Sequence, residues 1–190
     1  MTSIPIKRFE ERYAAHPDPW GFSWRWYEAR KYALTLAALP QRRFHRAFEP
    51  GCSIGVLTAQ LAARCDYLLA ADGVDAALDQ ARGRLTGQAQ VEVAKLLFPQ
   101  QWPDGPWDLV VLSEIGYYFD GVDLGRLLDR AAATTVEGAT LLAVHWRGET
   151  DYPLSGDAVH DLIDQHPAFT HEGGYCETLF RLDMHRRNPG

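Results

Sequence analysis

The sequence predicts an α/β protein built on a mainly parallel, doubly wound sheet of seven strands. From Phe44 onward, short apolar runs of strand length alternate with stretches of helical periodicity, a pattern typical of βαβ units. The first of these strands ends at Glu49-Pro50-Gly51 and runs directly into a helix. Because parallel strands joined by helices bring their carboxyl ends to one edge of the sheet, we expect the functional residues at that edge.

Residues 1–43 are expected to form an aromatic-rich cap, and residues 44–190 the main domain. Seven aromatic residues fall between positions 13 and 32. The proline-rich turn HPDPWG precedes apolar residues at helical spacing from Trp24 to Leu39, and Pro40 ends the predicted helix. Flat aromatic faces can stack on a base or a sugar ring and exclude water, so we expect this cap to act as a lid.

The main domain is expected to continue as a single Rossmann-like unit. Its predicted strands are RAFEPG, YLLAAD, VEVAKLLF, PWDLVVLSE and ATLLAVHW, and its predicted helices are IGVLTAQLAARC, VDAALDQARGRL, VDLGRLLDRAAATT and DAVHDLIDQH. Ser155 is expected to cap the last helix. The closing segment FTHEGGYCETLFRLDMH predicts an antiparallel hairpin around Gly173 and Gly174.

Composition and charge exclude several classes of protein. The chain carries 19 basic and 25 acidic side chains, a net charge of −6, and the basic excess lies within residues 1–46. An acidic main body is poorly suited to nucleic acid. No apolar run approaches the ~20 residues of a membrane span, and the N-terminus lacks the apolar core of a signal peptide, so a cytoplasmic location is expected. Cys52, Cys65 and Cys176 match neither a zinc motif nor a disulfide framework, and no metal is expected.

A nucleotide site is predicted at the ends of the first two strands. Gly51 follows Glu49 closely and lets the backbone turn sharply beneath a ligand. Asp72 lies at the end of the second strand, 23 residues after Glu49, where a carboxylate can accept hydrogen bonds from both ribose hydroxyls. The dinucleotide pattern GxGxxG fails, since Ser53 and Val56 occupy two of its glycine positions.

A second group of candidates follows the fourth and fifth strands. Glu114 comes directly after an unbroken apolar run and could anchor the ammonium or hydroxyl group of an acceptor. His145 ends the fifth strand, and an imidazole that titrates near neutral pH could act as a general base. Tyr117 could face a positively charged reacting group. Each of these side chains has the alternative interpretation of a packing residue.

The motifs resemble those of class I S-adenosylmethionine-dependent methyltransferases. The segments EPGCSIGVLTAQLA, LLAADGVDAALDQAR and WDLVVLSEIGYYF are similar to that family's successive motifs, and DPWGFSWRWYEARKYALTLAALP is similar to the N-terminal region of its NodS-like group. The resemblance implies S-adenosylmethionine as cofactor and S-adenosylhomocysteine as product. It also implies a small-molecule or oligosaccharide acceptor that is methylated on an amine or a hydroxyl, with the amine favoured. No oligomeric state is predicted.

The motifs and the resemblance together give three sets of site residues. The cofactor-binding set is Glu49, Gly51, Cys52, Gly55, Thr58, Asp72, Gly73, Val74, Leu96, Leu97 and Ser113. The catalytic set is Glu114, His145 and Tyr117, and the acceptor-binding set is Trp20, Tyr27, Tyr118, Asp157 and His160. The family often has an acid after the third strand that accepts from the adenine amino group. Here Ala94-Lys95-Leu96-Leu97 offers no carboxylate, so backbone groups of Leu96 and Leu97 are expected to bind the adenine edge.

Two other functions remain open at the level of sequence. An NAD-dependent oxidoreductase would share the fold, but the missing glycines at positions 53 and 56 count against it. A cofactor-sensing or scaffolding module with a degenerate site is the other alternative, and the absent adenine carboxylate allows it. Glu49, Gly51, Asp72 and Glu114 weigh against degeneracy.

Overall fold

Seven strands form one sheet across residues 2–190, the part of the chain that the computed structural model describes. Their bounds are β1 Phe44–Pro50, β2 Cys65–Asp72, β3 Val91–Lys95, β4 Trp107–Ser113, β5 Thr135–Trp146, β6 Phe169–Cys176 and β7 Phe180–Arg187. The strand order is β3-β2-β1-β4-β5-β7-β6. Strands β1 to β5 pair in parallel, and β7 lies antiparallel between β5 and β6. The predicted mainly parallel, doubly wound sheet is confirmed.

Helices cover both faces of this sheet. Their bounds are α1 Ile6–Ala15, α2 Trp26–Ala38, α3 Val56–Leu61, α4 Asp75–Arg84, α5 Gly121–Thr134 and α6 Gly156–Asp164. Ser155 caps α6 as predicted, because its hydroxyl accepts the N–H of Ala158 at 3.1 Å. None of the helices in the described range is both long and apolar enough to cross a bilayer.

The apolar core lies in two layers, one on each face of the sheet. Along β4, Val110 and Leu112 pack with α5 and α6, whereas Leu109 and Val111 pack with α2 and α3. Successive side chains of a strand point to opposite faces, so a strand covered on both sides needs apolar residues at every position. This requirement explains the unbroken apolar run of β4.

The N-terminal region divides into two parts with different surroundings. Helix α1, which the sequence analysis did not predict, lies over the carboxyl edge of the sheet. Helix α2, which was predicted, packs into the main core, where Lys31, Tyr32 and Thr35 are buried. Trp24 and Trp26 instead stand in solvent, 71% and 77% exposed. The aromatic segment is therefore not one continuous cover, because α2 belongs to the same core as β1 and α3.

The closing hairpin forms, but its turn is not at the predicted glycines. Residues 177–179 make the turn. Gly173 and Gly174 lie within β6, where the pairing with β7 shifts between His171 and Gly173. A Cβ on Gly174 would stand 2.1 Å from Oδ1 of Asp183, so glycine is needed there for the close approach of β6 to β7.

Candidate active site

A cavity of about 350 Å³ opens at the carboxyl edge of the sheet, where the sequence placed the functional residues. The ends of β1, β2 and β4 form its floor, and α1 with the segment that follows it forms one wall. Four carboxyl groups line it: Glu49, Asp72, Glu114 and Asp123. Among the described residues that line it there is no lysine, arginine or histidine. The cavity therefore favours a ligand with positive charge.

The turn after β1 is tied to the end of β2. The N–H groups of Gly51 and Cys52 both donate to the carbonyl of Ala71, at 2.7 and 3.0 Å. Gly51 has φ +76°, and a Cβ there would stand 2.8 Å from the side chain of Ile115 across the cavity floor. Glycine is therefore required both for the backbone conformation and for the close approach.

Asp72 ends β2 and lines the cavity. Its two carboxylate oxygens accept the N–H groups of Ser53 and Val74, each at 3.0 Å. Burial raises the pKa of Asp72, and these backbone hydrogen bonds oppose that effect. A carboxylate can accept about four hydrogen bonds, so Asp72 retains two positions for a ligand that offers two hydroxyls.

Glu49 is the buried carboxyl group of the cavity floor. Within residues 2–190 its Oε2 atom has no hydrogen-bond partner. Burial raises the pKa of Glu49 to about 8, and the nearby Thr58 hydroxyl offsets this only in part. Buried polar groups normally have partners, so this atom indicates a ligand group that the protein does not supply.

Glu114 follows β4 in the left-handed region, with φ +58°. Its N–H donates to the carbonyl of Val144 at 2.9 Å. Its side chain accepts from the Lys31 ammonium, the Tyr117 hydroxyl and the N–H of Trp146. The carboxylate is thus held from three directions, and about one of its four acceptor positions stays open.

Lys31 and Glu28 complete a buried charge cluster that the sequence analysis missed. The Lys31 ammonium lies 2.9 Å from Oε2 of Glu28, and the Lys31 side chain is 1% exposed. Burial by itself would lower the pKa of Lys31, but the carboxylates of Glu114 and Glu28 outweigh burial and raise it. The two residues are three apart on α2, a spacing that resembles an ordinary surface ion pair. The signal that could have found them is their shared face with Tyr32 and Thr35, which are buried.

His145 does not lie in the cavity, contrary to expectation. Its ring is fully buried behind the β4–α5 segment, where Nε2 accepts the N–H of Gly116 at 3.0 Å. Its Nδ1 lies 3.1 Å from Nε2 of His160. Burial lowers the pKa of His145 well below its usual value, and the neighbouring His160 lowers it further. Both ring nitrogens are engaged, so His145 cannot take a proton from a molecule in the cavity in this arrangement.

The cavity collects eight of the eleven expected cofactor residues. These are Glu49, Gly51, Cys52, Asp72, Gly73, Leu96, Leu97 and Ser113. The other three lie behind it: Gly55 starts α3 against Ala81, Thr58 is buried in α3, and Val74 packs against α1.

The N–H groups of Leu96 and Leu97, which were expected to help bind the adenine edge, have partners within the protein. The N–H of Leu96 donates to the carbonyl of Asp72 at 3.0 Å. The N–H of Leu97 donates to the Gln101 side chain at 2.7 Å. Only the second of these groups can be released by a side-chain rotation.

The expected acceptor residues are divided. Trp20 and Tyr118 line the cavity. Tyr27 is outside the cavity lining, where it contacts Leu179 and Phe180 and its ring lies 4.9 Å from the Lys31 ammonium. The remaining two are also outside the cavity, because Asp157 pairs with Arg147 and His160 with Asp183.

Helix α1 supplies cavity residues that sequence reasoning did not identify. Ile6 lies against Gly73, where an added Cβ would be 2.6 Å from Ile6 Cδ1. The Phe9 ring meets the Tyr118 ring edge to face at 4.7 Å, and Tyr13 bonds the Ser53 hydroxyl. The i, i+3, i+7 spacing of the three α1 residues is the signal that could have predicted this helix.

Comparison with known proteins finds proteins that are similar to this chain in sequence and in structure. The chain matches the family model of nodulation protein S (NodS) over residues 5–133. Nodulation protein S of Rhizobium tropici is 30% identical over 112 residues, which cover 58% of this chain and 47% of that protein. The chain thus spans about half the length of that curated relative.

Two solved structures extend the comparison. A candidate methyltransferase from Pseudomonas syringae is 44% identical, with a TM-score of 0.77, and the match covers 86% of this chain and 100% of that chain. The N-methyltransferase NodS from Bradyrhizobium japonicum WM9, in complex with S-adenosyl-L-homocysteine, has a TM-score of 0.87 at 21% identity, over 96% of this chain and 98% of that chain. The second likeness shows the fold. Because the family model covers more than half of its residues, this chain belongs to the nodulation protein S family, and its fold is that of the class I S-adenosylmethionine-dependent methyltransferases.

Proposed function

We propose that this chain transfers a methyl group from S-adenosylmethionine to an amine of a small-molecule or saccharide acceptor, releasing S-adenosylhomocysteine. One observation carries the proposal: the Asp72 carboxylate, the Gly51 turn and the Glu114 carboxylate border the same cavity. The first two suit a nucleoside, and the third suits a second, smaller ligand. Membership of the NodS family supports the class of reaction.

The residues present fit the cofactor. Asp72 has two open acceptor positions for the ribose hydroxyls, and Gly51 leaves the space that a Cβ would fill. The unpartnered Oε2 of Glu49 favours a positively charged group nearby. When bound, S-adenosylmethionine supplies a methyl group on a positively charged sulfur, so the protein has only to align the reacting atoms and hold the acceptor's proton.

Glu114 is the residue that would hold the acceptor. Three of its acceptor positions are taken by Lys31, Tyr117 and Trp146. The remaining position can accept an N–H of the acceptor and orient its lone pair. Because three donors already fix the carboxylate, little side-chain entropy is lost when it binds a ligand. The aromatic residues of α1 would exclude water from the same space.

The charge of the cavity favours an amine over an acidic acceptor. Its lining includes the carboxylates of Asp72, Glu114 and Asp123, the carboxyl group of Glu49, which is protonated at neutral pH, and, among the described lining residues, no basic side chain. An ammonium group gains from this potential, whereas a carboxylate or phosphate would be repelled. The B. japonicum relative is an N-methyltransferase, which also supports nitrogen as the accepting atom.

A paired acceptor panel tests the proposal. The purified chain is incubated with methyl-labelled S-adenosylmethionine and with amino sugars, small amines and oligosaccharides, each beside its N-acetylated counterpart. We expect S-adenosylhomocysteine and a methylated product with free amines and neither with the N-acetylated partners. Equal labelling of both partners would indicate a hydroxyl acceptor and overturn the choice of nitrogen.

A binding assay separates the cofactor from the alternatives. S-adenosylhomocysteine at about 100 times its dissociation constant should stabilise the fold by roughly 2.7 kcal/mol, a rise in Tm of roughly 5–10 °C for a chain of this size. NAD at the same concentration should give no rise. Stabilisation by NAD alone would point to the oxidoreductase, and binding of S-adenosylhomocysteine without turnover of any acceptor would point to a sensing module.

A further inference from the structure

A buried chain of hydrogen bonds lies outside the cavity, and none of its side chains lines the cavity. It begins at the N–H of Gly116, which lies 3.0 Å from Nε2 of His145. It continues from His145 Nδ1 to His160 Nε2 at 3.1 Å and from His160 Nδ1 to the Asp183 carboxylate at 2.8 Å. Both histidines are fully buried, and Asp183 is 4% exposed. These hydrogen bonds link β7, α6 and β5 to the segment after β4.

Proton counting allows one arrangement along this chain. Asp183 also accepts from Arg181 at 2.6 Å, and although burial alone would raise its pKa, the hydrogen bond from His160 and the charge of Arg181 lower it to about 2. It is a carboxylate, so His160 carries its proton on Nδ1 and its Nε2 can accept. His145 must then donate through Nδ1 and accept through Nε2. That Nε2 faces a backbone N–H, which can only donate.

The other end of this chain of hydrogen bonds lies at the loop that carries Glu114. Strand β5 contacts this loop through three consecutive residues: the Val144 carbonyl accepts from the Glu114 N–H, His145 accepts from the Gly116 N–H, and the Trp146 N–H donates to the Glu114 carboxylate. A Cβ on Gly116 would lie 2.9 Å from His145 Nε2 and 2.5 Å from Val159. The backbone at Gly116 is therefore pressed against the ring that accepts from it.

We infer that His145 is a positioning residue. By accepting the Gly116 N–H through Nε2, with its own Nδ1–H fixed by His160 and Asp183, it holds the β4–α5 loop so that Glu114 keeps its left-handed backbone and its place in the cavity wall. This inference rests on the proposed role of Glu114 for its catalytic meaning. His145 itself touches neither cofactor nor acceptor.

The wild-type protein provides the first test. Nitrogen-15 NMR of the imidazole rings, recorded without ligands, should show His145 protonated on Nδ1 and unprotonated on Nε2. A proton on Nε2 would overturn the inference, because that atom could no longer accept from Gly116. Binding of S-adenosylhomocysteine is measured separately. A failure to bind would count against the proposed function and leave the tautomer result intact.

A pair of variants provides the second test. His145→Gln keeps an acceptor at the Nε2 position, whereas His145→Leu keeps the bulk and removes the acceptor. In the Leu variant, hydrogen exchange at the Gly116 amide should be about tenfold faster than in the wild type, and the carboxyl carbon resonance of Glu114 should shift. The Gln variant should restore both.

Several outcomes would overturn the inference. A folded Leu variant with unchanged Gly116 exchange and an unchanged Glu114 resonance would do so, and so would a Gln variant that behaves like the Leu variant. If the Leu variant does not fold, the wild-type tautomer and the Gln variant still decide the question.

Discussion

Asp72 and Glu49 are both carboxyl groups of the cavity, yet their surroundings give them different tasks. Asp72 accepts hydrogen bonds from two backbone N–H groups, which fix the orientation of its carboxyl group. A group that accepts hydrogen bonds from two ribose hydroxyls needs such a fixed orientation. Glu49 has an oxygen without a partner and a pKa raised to about 8 by burial. The first is arranged to accept hydrogen bonds, and the second stays protonated at neutral pH until a positive charge arrives.

Replacing Asp72 tests its part in binding. Asp72→Asn keeps the shape but loses one acceptor, so the affinity for S-adenosylhomocysteine should fall about 10- to 100-fold, the worth of one charge-assisted hydrogen bond of about 1.5–3 kcal/mol. Isothermal titration calorimetry measures it. Asp75→Asn is the matched control, because Asp75 lies three residues on and pairs with Lys95 at the surface. Equal affinities in the wild type and both variants would remove Asp72 from the site.

Replacing Glu49 tests the protonation argument through stability. An ordinary glutamate ionises near 4.5, whereas Glu49 in the fold ionises near 8. Between these values the folded state binds the extra proton, so rising pH destabilises the wild type, by about 1.4 kcal/mol per pH unit. Against Glu49→Gln, the wild type should therefore lose stability steadily from about pH 5 to pH 8 and not below pH 4.

Urea unfolding at each pH measures this difference. Glu10→Gln is the control, since Glu10 is exposed on α1 and should give a flat difference. A flat difference for Glu49→Gln as well would show that Glu49 ionises normally in the fold.

Three of the residues predicted at strand ends line the cavity, whereas the buried residues behind them were not predicted. Glu49, Asp72 and Glu114 could be found because each interrupts an apolar run at a strand's carboxyl end. His145 satisfies the same criterion, but its side chain points under the β4–α5 loop. The pleat of the strand and the path of the loop determine this direction, and the sequence does not reveal either of them. Lys31 was missed because a buried lysine is rare and its spacing to Glu28 is that of a surface pair.

Helix α1 is the element that covers the cavity. It contacts the floor through Ile6 on Gly73 and the β4–α5 loop through Phe9 on Tyr118. The N–H of Ile4 also donates to the Tyr118 carbonyl at 2.8 Å. These contacts lie at the mouth of the cavity. We therefore propose that α1, rather than the whole aromatic region, is the lid.

Deleting residues 2–15 should speed dissociation of S-adenosylhomocysteine and lower its affinity, because the cavity then opens to water. Stopped-flow displacement measures the rate. Phe9→Ala should give a smaller change in the same direction, and it keeps the test valid if the deletion is unstable. Trp24→Ser combined with Trp26→Ser is the control, since both side chains stand in solvent. Unchanged dissociation in the deletion would refute a lid.

Helix α2 is linked to the site by the ion pair between Lys31 and Glu114. Lys31→Met leaves Glu28 and Glu114 buried without their common partner and should cost about 3–5 kcal/mol of stability. Adding Glu28→Gln and Glu114→Gln should recover much of that loss, as the uncompensated charges are removed. Denaturant unfolding gives both values. Lys7→Met, at an exposed pair with Glu11, should change little, and an equally mild effect of Lys31→Met would mean that water reaches the cluster.

The overall fold could be predicted as far as it depends on the spacing of apolar residues and on the order of strands and helices along the sequence. Alternating strands and helices indicated the parallel sheet, and the closing hairpin followed from a sequence without helical spacing. The position of the hairpin turn was missed because glycine marks both turns and close strand approach, and Gly174 serves the second purpose. Strand β5 pairs with β7 and not with β6. Tertiary packing determines this pairing, and no local sequence pattern indicates it.

Removing residues 177–190 tests how the hairpin completes the molecule. Strand β7 is lost, so β5 becomes an open edge and β6 loses the pairing that the structure shows. Exposed strand edges associate, and we expect soluble aggregates by size-exclusion chromatography. Removal of residues 189–190 alone should leave elution unchanged. Elution of the longer truncation at the full-length position, with S-adenosylhomocysteine still bound, would contradict this expectation.

The strand order β5-β7-β6 also determines when the sheet can be finished during translation. Strand β5 is complete at Trp146, but its neighbour β7 ends at Arg187, about 40 residues or roughly 2–8 s later at ordinary ribosome speeds. Strand β6 leaves the ribosome in that interval and has to wait for β7. The nascent chain therefore carries an unpaired β5 edge for seconds, and an exposed strand edge is a site for association with other chains. The same delay means that Asp183, and with it the buried histidine chain, reaches its place only after every other strand has been made.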